Sequence, residues 1–187
     1  MLKRLVLCAV LLSCLGGCVA AFMAGAAAGG YVVFDRRTLL QIKEDNELRF
    51  KIHDEIAHNP DFKGSHIVVS SFHRVILLAG QAQNEQIRSQ TETIVHRYPQ
   101  VAKLYNQITI GAPTSNLVMS SDAIITGEIK TKMLTVKGLQ TSQIKVVTEN
   151  GVVYLMGKVS SAQKQTAINI ARSTSGVQSV VTLFSEP

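Results

Sequence analysis

The residues with the clearest chemical potential are the five histidines, all of which lie between positions 53 and 96. Two of them flank an acidic segment, His53-Asp54-Glu55-Ile56-Ala57-His58, with the residue types of a zinc-protease helix. That chemistry needs two imidazoles four residues apart, with the glutamate next to the first. Here the spacing is five, about 140° around a helix, and the glutamate is displaced by one position. We therefore predict no metal site, and solvated histidines near the end of a helix.

Other catalytic patterns are missing from the sequence. The three cysteines, Cys8, Cys14 and Cys18, lie in the first tenth of the chain, which excludes a disulfide framework or a cysteine metal site in the folded part. The sequence contains no Gly-x-Ser-x-Gly elbow and no P-loop, and the Gly/Ala-rich stretch 25–30 does not follow a strand. We predict that the chain is not an enzyme and uses no cofactor.

The composition is that of a globular protein, with 46% hydrophobic and 17% charged residues among 187. It contains no Trp, four Tyr and six Phe, which is too few for an aromatic platform that stacks single-stranded nucleic acid. The formal net charge is +6, so the position of the basic residues becomes the informative feature. We predict no nucleic-acid partner.

The first 17 residues have the layout of a secretory leader. Lys3 and Arg4 precede the apolar stretch 5–15, which is about half the length of a membrane span. The segment Leu15-Gly16-Gly17-Cys18 resembles the lipobox of bacterial lipoproteins, in which the cysteine becomes the acylated first residue. Cys18 is therefore the predicted lipid anchor, carrying palmitate-type chains, and residues 18–43 the predicted flexible tether. Since Val19 follows the cysteine in place of Asp, the resemblance implies the outer membrane.

Two alternatives to this N-terminal assignment stay open. Leu11-Leu12-Ser13-Cys14 is a competing lipobox with a shorter apolar stretch. Apolar and small residues continue to Phe34, so residues 5–34 could instead span a bilayer. The Gly/Ala-rich stretch 23–30 argues against a span, because insertion is driven by Leu, Ile, Phe and Val.

The rest of the chain is an internal repeat. A shift of 77 residues places Asp45 on Asp122 and Gly80 on Gly157, with the apolar positions between them, and a shift of 76 aligns the last strands. Each copy is predicted to fold as helix–strand–strand–helix–strand, with Glu149-Asn150-Gly151 as the hairpin turn of the second copy. The predicted class is α+β, with two tandem αββαβ domains at 44–111 and 121–187 and a linker at 112–120. Each would have a three-stranded mixed sheet covered on one face by two helices.

This repeat unit resembles the BON domain (bacterial OsmY and nodulation), and the chain resembles the dual BON-domain outer-membrane lipoproteins of the DolP family. The matches include Val75–Gln81 in the first copy and Lys145–Gly151 and Tyr154–Gly157 in the second. The most specific part is the hairpin Thr148–Gly151 followed by Leu155–Gly157. The resemblance implies binding of anionic phospholipid, of the phosphatidylglycerol or cardiolipin type, through the first helix of the second domain. It also implies a role in outer-membrane integrity and association with the division site.

The charge distribution agrees with that implication. Residues 44–111 contain seven Lys/Arg and eight Asp/Glu, whereas residues 117–187 contain seven against four. Each basic residue near an anionic bilayer is worth about 1 kcal/mol. A solvated basic face without a partner is the alternative explanation, but if one domain meets anionic lipid, it should be the second.

The helix predicted at 122–134, with Asp122 as its N-cap, has an apolar strip outside its core face. Ile125, Ile129 and Met133 match the core positions of the first copy. The neighbouring face and its flanking lysines form the predicted phospholipid site: Ile124, Gly127, Lys130, Thr131, Lys132, Leu134 and Thr135. Family members have Trp where this chain has Ile124. Packing of Ile124 and Leu134 against the other domain is the alternative.

The equivalent strip of the first copy carries two acids and suits anionic lipid poorly: Glu47, Phe50, Asp54, Ala57 and His58. The sequence therefore favours a periplasm-facing lipoprotein that binds anionic phospholipid through its second domain. The alternative function is an interaction adaptor whose strip binds an envelope protein, such as a regulator of peptidoglycan hydrolysis or an outer-membrane assembly factor.

Overall fold

The computed structural model describes residues 39–185, which lie within one compact unit spanning residues 37–187. The predicted leader, both lipoboxes, Cys18, and the tether up to residue 38 lie outside the described residues. Within residues 39–185, no helix is long and apolar enough to cross a membrane. The hydrophobic clusters of the described chain close within this compact unit, so a fragment of residues 37–187 retains all of them.

Both halves of the described chain have the predicted αββαβ order. The elements of the first domain are α1 (Leu39–Ala57), β1 (His66–Phe72), β2 (Val75–Ala82), α2 (Glu85–His96), β3 (Lys103–Asn106) and β4 (Thr109–Ile110). Those of the second domain are α3 (Asn116–Thr135), β5 (Ile144–Glu149), β6 (Val152–Lys158), α4 (Ser161–Arg172) and β7 (Ser179–Ser185). Short 3-10 turns at Pro60–Phe62 and Thr141–Gln143 follow the first helix of each domain.

The central strand of each sheet pairs with the first strand in antiparallel and with the last in parallel orientation, as predicted. In the second domain, β6 lies between β5 and β7, with Val152 opposite both Glu149 and Ser179. In the first domain, the last strand is divided into two pieces, β3 and β4, and both pair with β2 in parallel. The Asn106 side chain accepts a hydrogen bond from the Ile108 N–H at 3.2 Å, so this N–H bonds locally.

The helices of each domain cover one face of its sheet, and that interface forms the main core. In the first domain, Ile52 of α1 and Val95 of α2 are fully buried against strand residues such as Leu78. In the second domain, Ile129 of α3 and Ala171 of α4 are fully buried against Leu155. The periodic helix positions read from the sequence are therefore the core positions.

The remaining faces of the two sheets pack against each other, which the sequence repeat did not predict. Side chains from both domains form this interdomain cluster, whose buried members are Phe72, Leu77, Ala79, Tyr154, Met156 and Leu183. Its existence explains why β2 and β6 are apolar at consecutive positions, since both of their faces are covered. A polar group closes the cluster at one edge. There Glu149, 5% exposed, accepts hydrogen bonds from Gln81 Nε2 and Thr114 Oγ1, each at 3.1 Å.

Two helix starts differ from the sequence prediction. The helix α3 begins at Asn116, with Ser115 as N-cap, so five residues of the predicted linker 112–120 are helical and Asp122 is not a cap. Residues 39–43, predicted as part of the flexible tether, are helical and belong to α1. The Ser115 Oγ accepts a hydrogen bond from the Val118 N–H at 3.4 Å. This bond gives a partner to one of the free N–H groups in the first turn, so the helix can begin before Asp122.

Asp45 and Asp122 instead bind the hairpin turns. Asp122 accepts hydrogen bonds from the N–H groups of Asn150 and Gly151 at 2.7 and 2.9 Å. Asp45 accepts from the N–H groups of His73 and Arg74, both at 2.8 Å. The turn residues have positive φ, between 50° and 73°, as two-residue hairpins require. Each buried carboxylate therefore joins the first helix of its domain to the tip of its hairpin.

Candidate functional site

The core face of α3 is the predicted one. Ile125, Ile129 and Met133 are 5%, 0% and 1% exposed and pack against the second sheet. This packing fixes the rotation of the helix about its axis, because neighbours three and four residues apart share a face. It therefore decides which side chains point away from the protein.

The predicted strip lies on the outside of the helix. Ile124 is 70% and Leu134 65% exposed, which contradicts the alternative that they pack against the other domain. Gly127, Thr131 and Thr135 between and beside them are exposed as well. The structure therefore brings the apolar members of the predicted site onto one open surface.

Two hydroxyl groups of this surface are already satisfied by the helix itself. Thr131 Oγ1 donates to the Gly127 carbonyl at 2.9 Å, and Thr135 Oγ1 donates to the Lys132 carbonyl at 2.8 Å. Because each hydroxyl proton is already donated to a helix carbonyl, the two threonines have one fewer hydrogen bond to lose when the surface leaves water. A Cβ added at Gly127 would meet nothing within 4 Å, so the surface is open at that point. The strip is more apolar than its residue types indicate.

Leu117 is a member of the strip that sequence reasoning missed. It is 81% exposed and lies in the first turn of α3. Seven residues, close to two helical turns, separate it from Ile124, so both lie on nearly the same side. The sequence prediction places the N-cap at Asp122, which puts Leu117 in the linker. The signal for the earlier start is Ser115 itself, one of the residue types preferred at an N-cap.

The two predicted lysines differ in their surroundings. Lys130 is exposed, and none of the described residues forms a hydrogen bond or ion pair with it. Lys132 is half-buried, with Nζ at 2.7 Å from Glu128 Oε1 and 3.2 Å from Thr174 Oγ1. Its charge is therefore largely balanced within the domain, and Lys130 is the better candidate for headgroup contact.

The equivalent surface of the first domain has a different character. Phe50 of α1 is 60% exposed, and Glu47 and Asp54 lie about one helical turn before and after it. Glu47 lies 3.6 Å from Lys43, and Asp54 pairs with His58 at 3.2 Å. This face presents carboxylates where α3 presents small and apolar side chains.

The histidine segment holds no metal-type geometry. His58 Nδ1 lies 2.9 Å from the Asp54 carbonyl, and both His53 and His58 are exposed at the end of α1. Within residues 39–185, no group of three or more His, Cys, Asp or Glu is arranged to hold a metal ion.

Comparison with known proteins gives a consistent family. The sequence matches the BON domain family over residues 44–112 and 121–185. It is 30% identical over 171 residues to the Outer membrane lipoprotein DolP of Haemophilus influenzae, covering 91% of this chain and 89% of the relative. It is 34% identical to the 21 kDa hemolysin of Actinobacillus pleuropneumoniae, covering 62% and 59%. The Osmotically-inducible protein Y of Escherichia coli is 26% identical, covering 73% and 70%.

Proposed function

Because this chain belongs to the DolP family of BON-domain proteins, we propose that it is an outer-membrane lipoprotein whose second domain binds anionic phospholipid. In this proposal Cys18 carries the acyl anchor, and the folded domains face the periplasm. Through this binding the protein supports outer-membrane integrity, and recruitment to the division site is part of the same proposal.

The observation that carries the proposal is the open apolar strip on α3. Leu117, Ile124 and Leu134 are all at least 65% exposed on a helix of 20 residues, about 30 Å long. Surface helices of water-soluble domains turn their apolar residues inward, so a continuous outward strip needs a partner. A helix lying flat in the headgroup region would bury these side chains in the acyl-chain boundary.

The charge of the second domain favours a lipid with an anionic headgroup. The second domain has three more basic than acidic residues, and Lys130 is available beside Leu134. Each such amine near an anionic bilayer contributes about 1 kcal/mol at low salt. The strip alone would give weak, reversible attachment. An acyl anchor on the same chain raises the local lipid concentration and makes it effective.

The test is co-sedimentation of the fragment 37–187 with lipid vesicles. This fragment lacks the apolar N-terminal segment, so binding reports on the folded domains. Wild type should bind phosphatidylglycerol–cardiolipin vesicles, and bind phosphatidylcholine vesicles far more weakly. Leu134→Glu should weaken binding about tenfold or more, because it removes apolar burial and adds a like charge. Phe50→Glu, at an exposed apolar residue of the first domain, is the matched control and should bind as wild type does.

Two results would overturn the proposal. Equal binding to anionic and neutral vesicles would show that charge does not contribute. An equal loss of vesicle binding in Phe50→Glu and Leu134→Glu would show that the contact is not specific to α3. Absence of binding to any vesicle by a folded protein would favour the adaptor function. In that case the strip on α3 would be the surface to test against envelope proteins.

A further inference from the structure

The first domain contains a cleft that the proposed function does not use. It lies between the end of α1, the 3-10 turn Pro60–Phe62 and the start of β1, with a volume of about 510 Å³. Three of the five histidines line it, His53, His58 and His66, together with Lys63. No Asp or Glu is among its lining residues. We call it the histidine cleft.

We propose that the histidine cleft is a second ligand site, which takes a phosphate-bearing anion and binds it more tightly as the pH falls. Lys63 supplies a positive charge, and the imidazoles of His53 and His58 supply N–H donors. Buried Ile56 and Phe62 and half-buried Ile67 also line the cleft and can contact an apolar part of a ligand. This proposal is independent of lipid binding by α3.

The wall of the cleft is held in place before any ligand arrives. Gln83 Nε2 donates to the Lys63 carbonyl at 2.9 Å, and the Lys63 N–H donates to the Pro60 carbonyl at 3.1 Å. The Ser65 hydroxyl accepts from the Gln83 N–H at 3.4 Å, so its own proton can point to another acceptor. A loop that is already fixed loses little conformational entropy when a ligand binds, which favours binding in this cleft.

Proton uptake is the reason for the pH dependence. Lys63 carries a positive charge among the lining residues, whereas the carbonyl end of α1 opposes an anion there. Protonation gives an imidazole a positive charge and a second N–H donor, so lower pH favours an anion beside it. Each proton taken up on binding changes the affinity by up to about tenfold per pH unit.

The neighbouring acids limit this effect without removing it. Asp54 on α1 pairs with His58 at 3.2 Å, although both side chains are more than half exposed. Glu149 of the second domain lies 3.5 Å from His66 Nε2 and keeps that histidine facing the domain boundary. Asp61 lies in the 3-10 turn and is exposed. His53 and Lys63 have no such acidic partner in the described chain and are the principal contacts.

The positions equivalent to the cleft residues in the second domain carry a different set. A shift of 77 places His53, Lys63 and His66 on Lys130, Gln140 and Gln143. The combination of His53, Lys63 and His66 is therefore not repeated in the second domain.

The test is NMR titration of residues 37–187 with inorganic phosphate and with glycerol 3-phosphate, at constant ionic strength, at pH 5.5 and 7.5. We expect ring-signal shifts at His53 and His58, with affinity at least about fivefold higher at pH 5.5. His53→Gln and Lys63→Gln should each weaken binding at least about threefold. His96→Gln is the matched control, an exposed histidine on α2 outside the cleft.

Vesicles distinguish the two sources of phosphate. In the Leu134→Glu background, phosphatidylglycerol vesicles that bind at pH 5.5 and lose binding in His53→Gln would assign the cleft to lipid headgroups. Binding of glycerol 3-phosphate without vesicle binding would assign it to soluble phosphate esters. No shift with either probe at pH 5.5, or an equal shift at His96, overturns the proposal. Neither result depends on the strip of α3, because Leu134→Glu has already disrupted it in the vesicle test.

Discussion

At the scale of single residues, Asp45 and Asp122 show how one repeat position serves the fold. The shift of 77 already placed them on each other, and only the structure shows that each carboxylate binds the N–H groups of a hairpin turn. Hydrogen bonds to a charged acceptor are the stronger kind, and a buried N–H left without a partner costs free energy. These two residues therefore stabilise the hairpin tips of their domains.

Asp122→Ala should lower the free energy of unfolding by about 2–4 kcal/mol, because two turn N–H groups lose a charged acceptor. Urea denaturation of residues 37–187 measures this. Glu128→Ala, at the half-exposed partner of Lys132, should change it by less than about 1 kcal/mol. A change in Asp122→Ala no larger than that of Glu128→Ala would contradict the stated role.

At the scale of elements, the length of α3 decides the extent of the candidate site. The helix begins six residues before Asp122, so its outward face includes Leu117. Core packing of Ile125 and Ile129 sets the rotation of the whole helix, and the strip follows from that rotation. α1 has the same packing and carries acids on the equivalent face, so the contrast between the domains lies in side chains on a shared scaffold.

Leu117→Glu should weaken binding to phosphatidylglycerol–cardiolipin vesicles by a factor of about three to ten, since it shortens the apolar strip by two turns. Vesicle sedimentation of residues 37–187 checks this against Ser120→Glu, which adds the same charge in the same helix without removing an apolar side chain. If both variants bind alike, charge alone explains the effect and Leu117 is not part of the contact.

At the scale of the whole molecule, the two domains share one buried surface. Tyr154 lies in the interdomain cluster, and burial, followed by the nearby Glu149 carboxylate, raises the pKa of its hydroxyl above the usual 10.0. A phenol with a raised pKa in the folded state resists ionisation there, whereas the unfolded chain ionises it freely. The folded protein should therefore lose stability as the pH rises above about 10.

In Tyr154→Phe this alkaline loss of stability should be smaller than in wild type. Urea unfolding of residues 37–187 at pH 8 and at pH 10.5–11 gives both values, and the comparison cancels the titration of lysines common to both proteins. The pKa of Tyr98 is also raised, by burial and its hydrogen bond to Glu55, so Tyr98→Phe serves as a second reference. Parallel loss in wild type and Tyr154→Phe would show that the phenol does not report on the interface.

By itself, the sequence determined the repeat, the αββαβ order, the core faces of the helices and the part of the strip that runs from Ile124 to Thr135 on α3. These follow from local periodicity and from turn chemistry, which are written in neighbouring residues. The first-strand and last-strand pairings also follow, because a strand–helix–strand crossover leaves few choices.

Only the tertiary structure decided how the helices begin, what the aspartates bind, and how the uncovered sheet faces are buried. A cap such as Ser115 competes with Asp122 on equal local terms, and burial of the carboxylate against a hairpin 28 residues away settles the choice. The histidine cleft likewise needs His53 and His66, thirteen positions apart, to meet across a turn. Such contacts depend on the arrangement of distant segments, which local patterns in a single sequence do not encode.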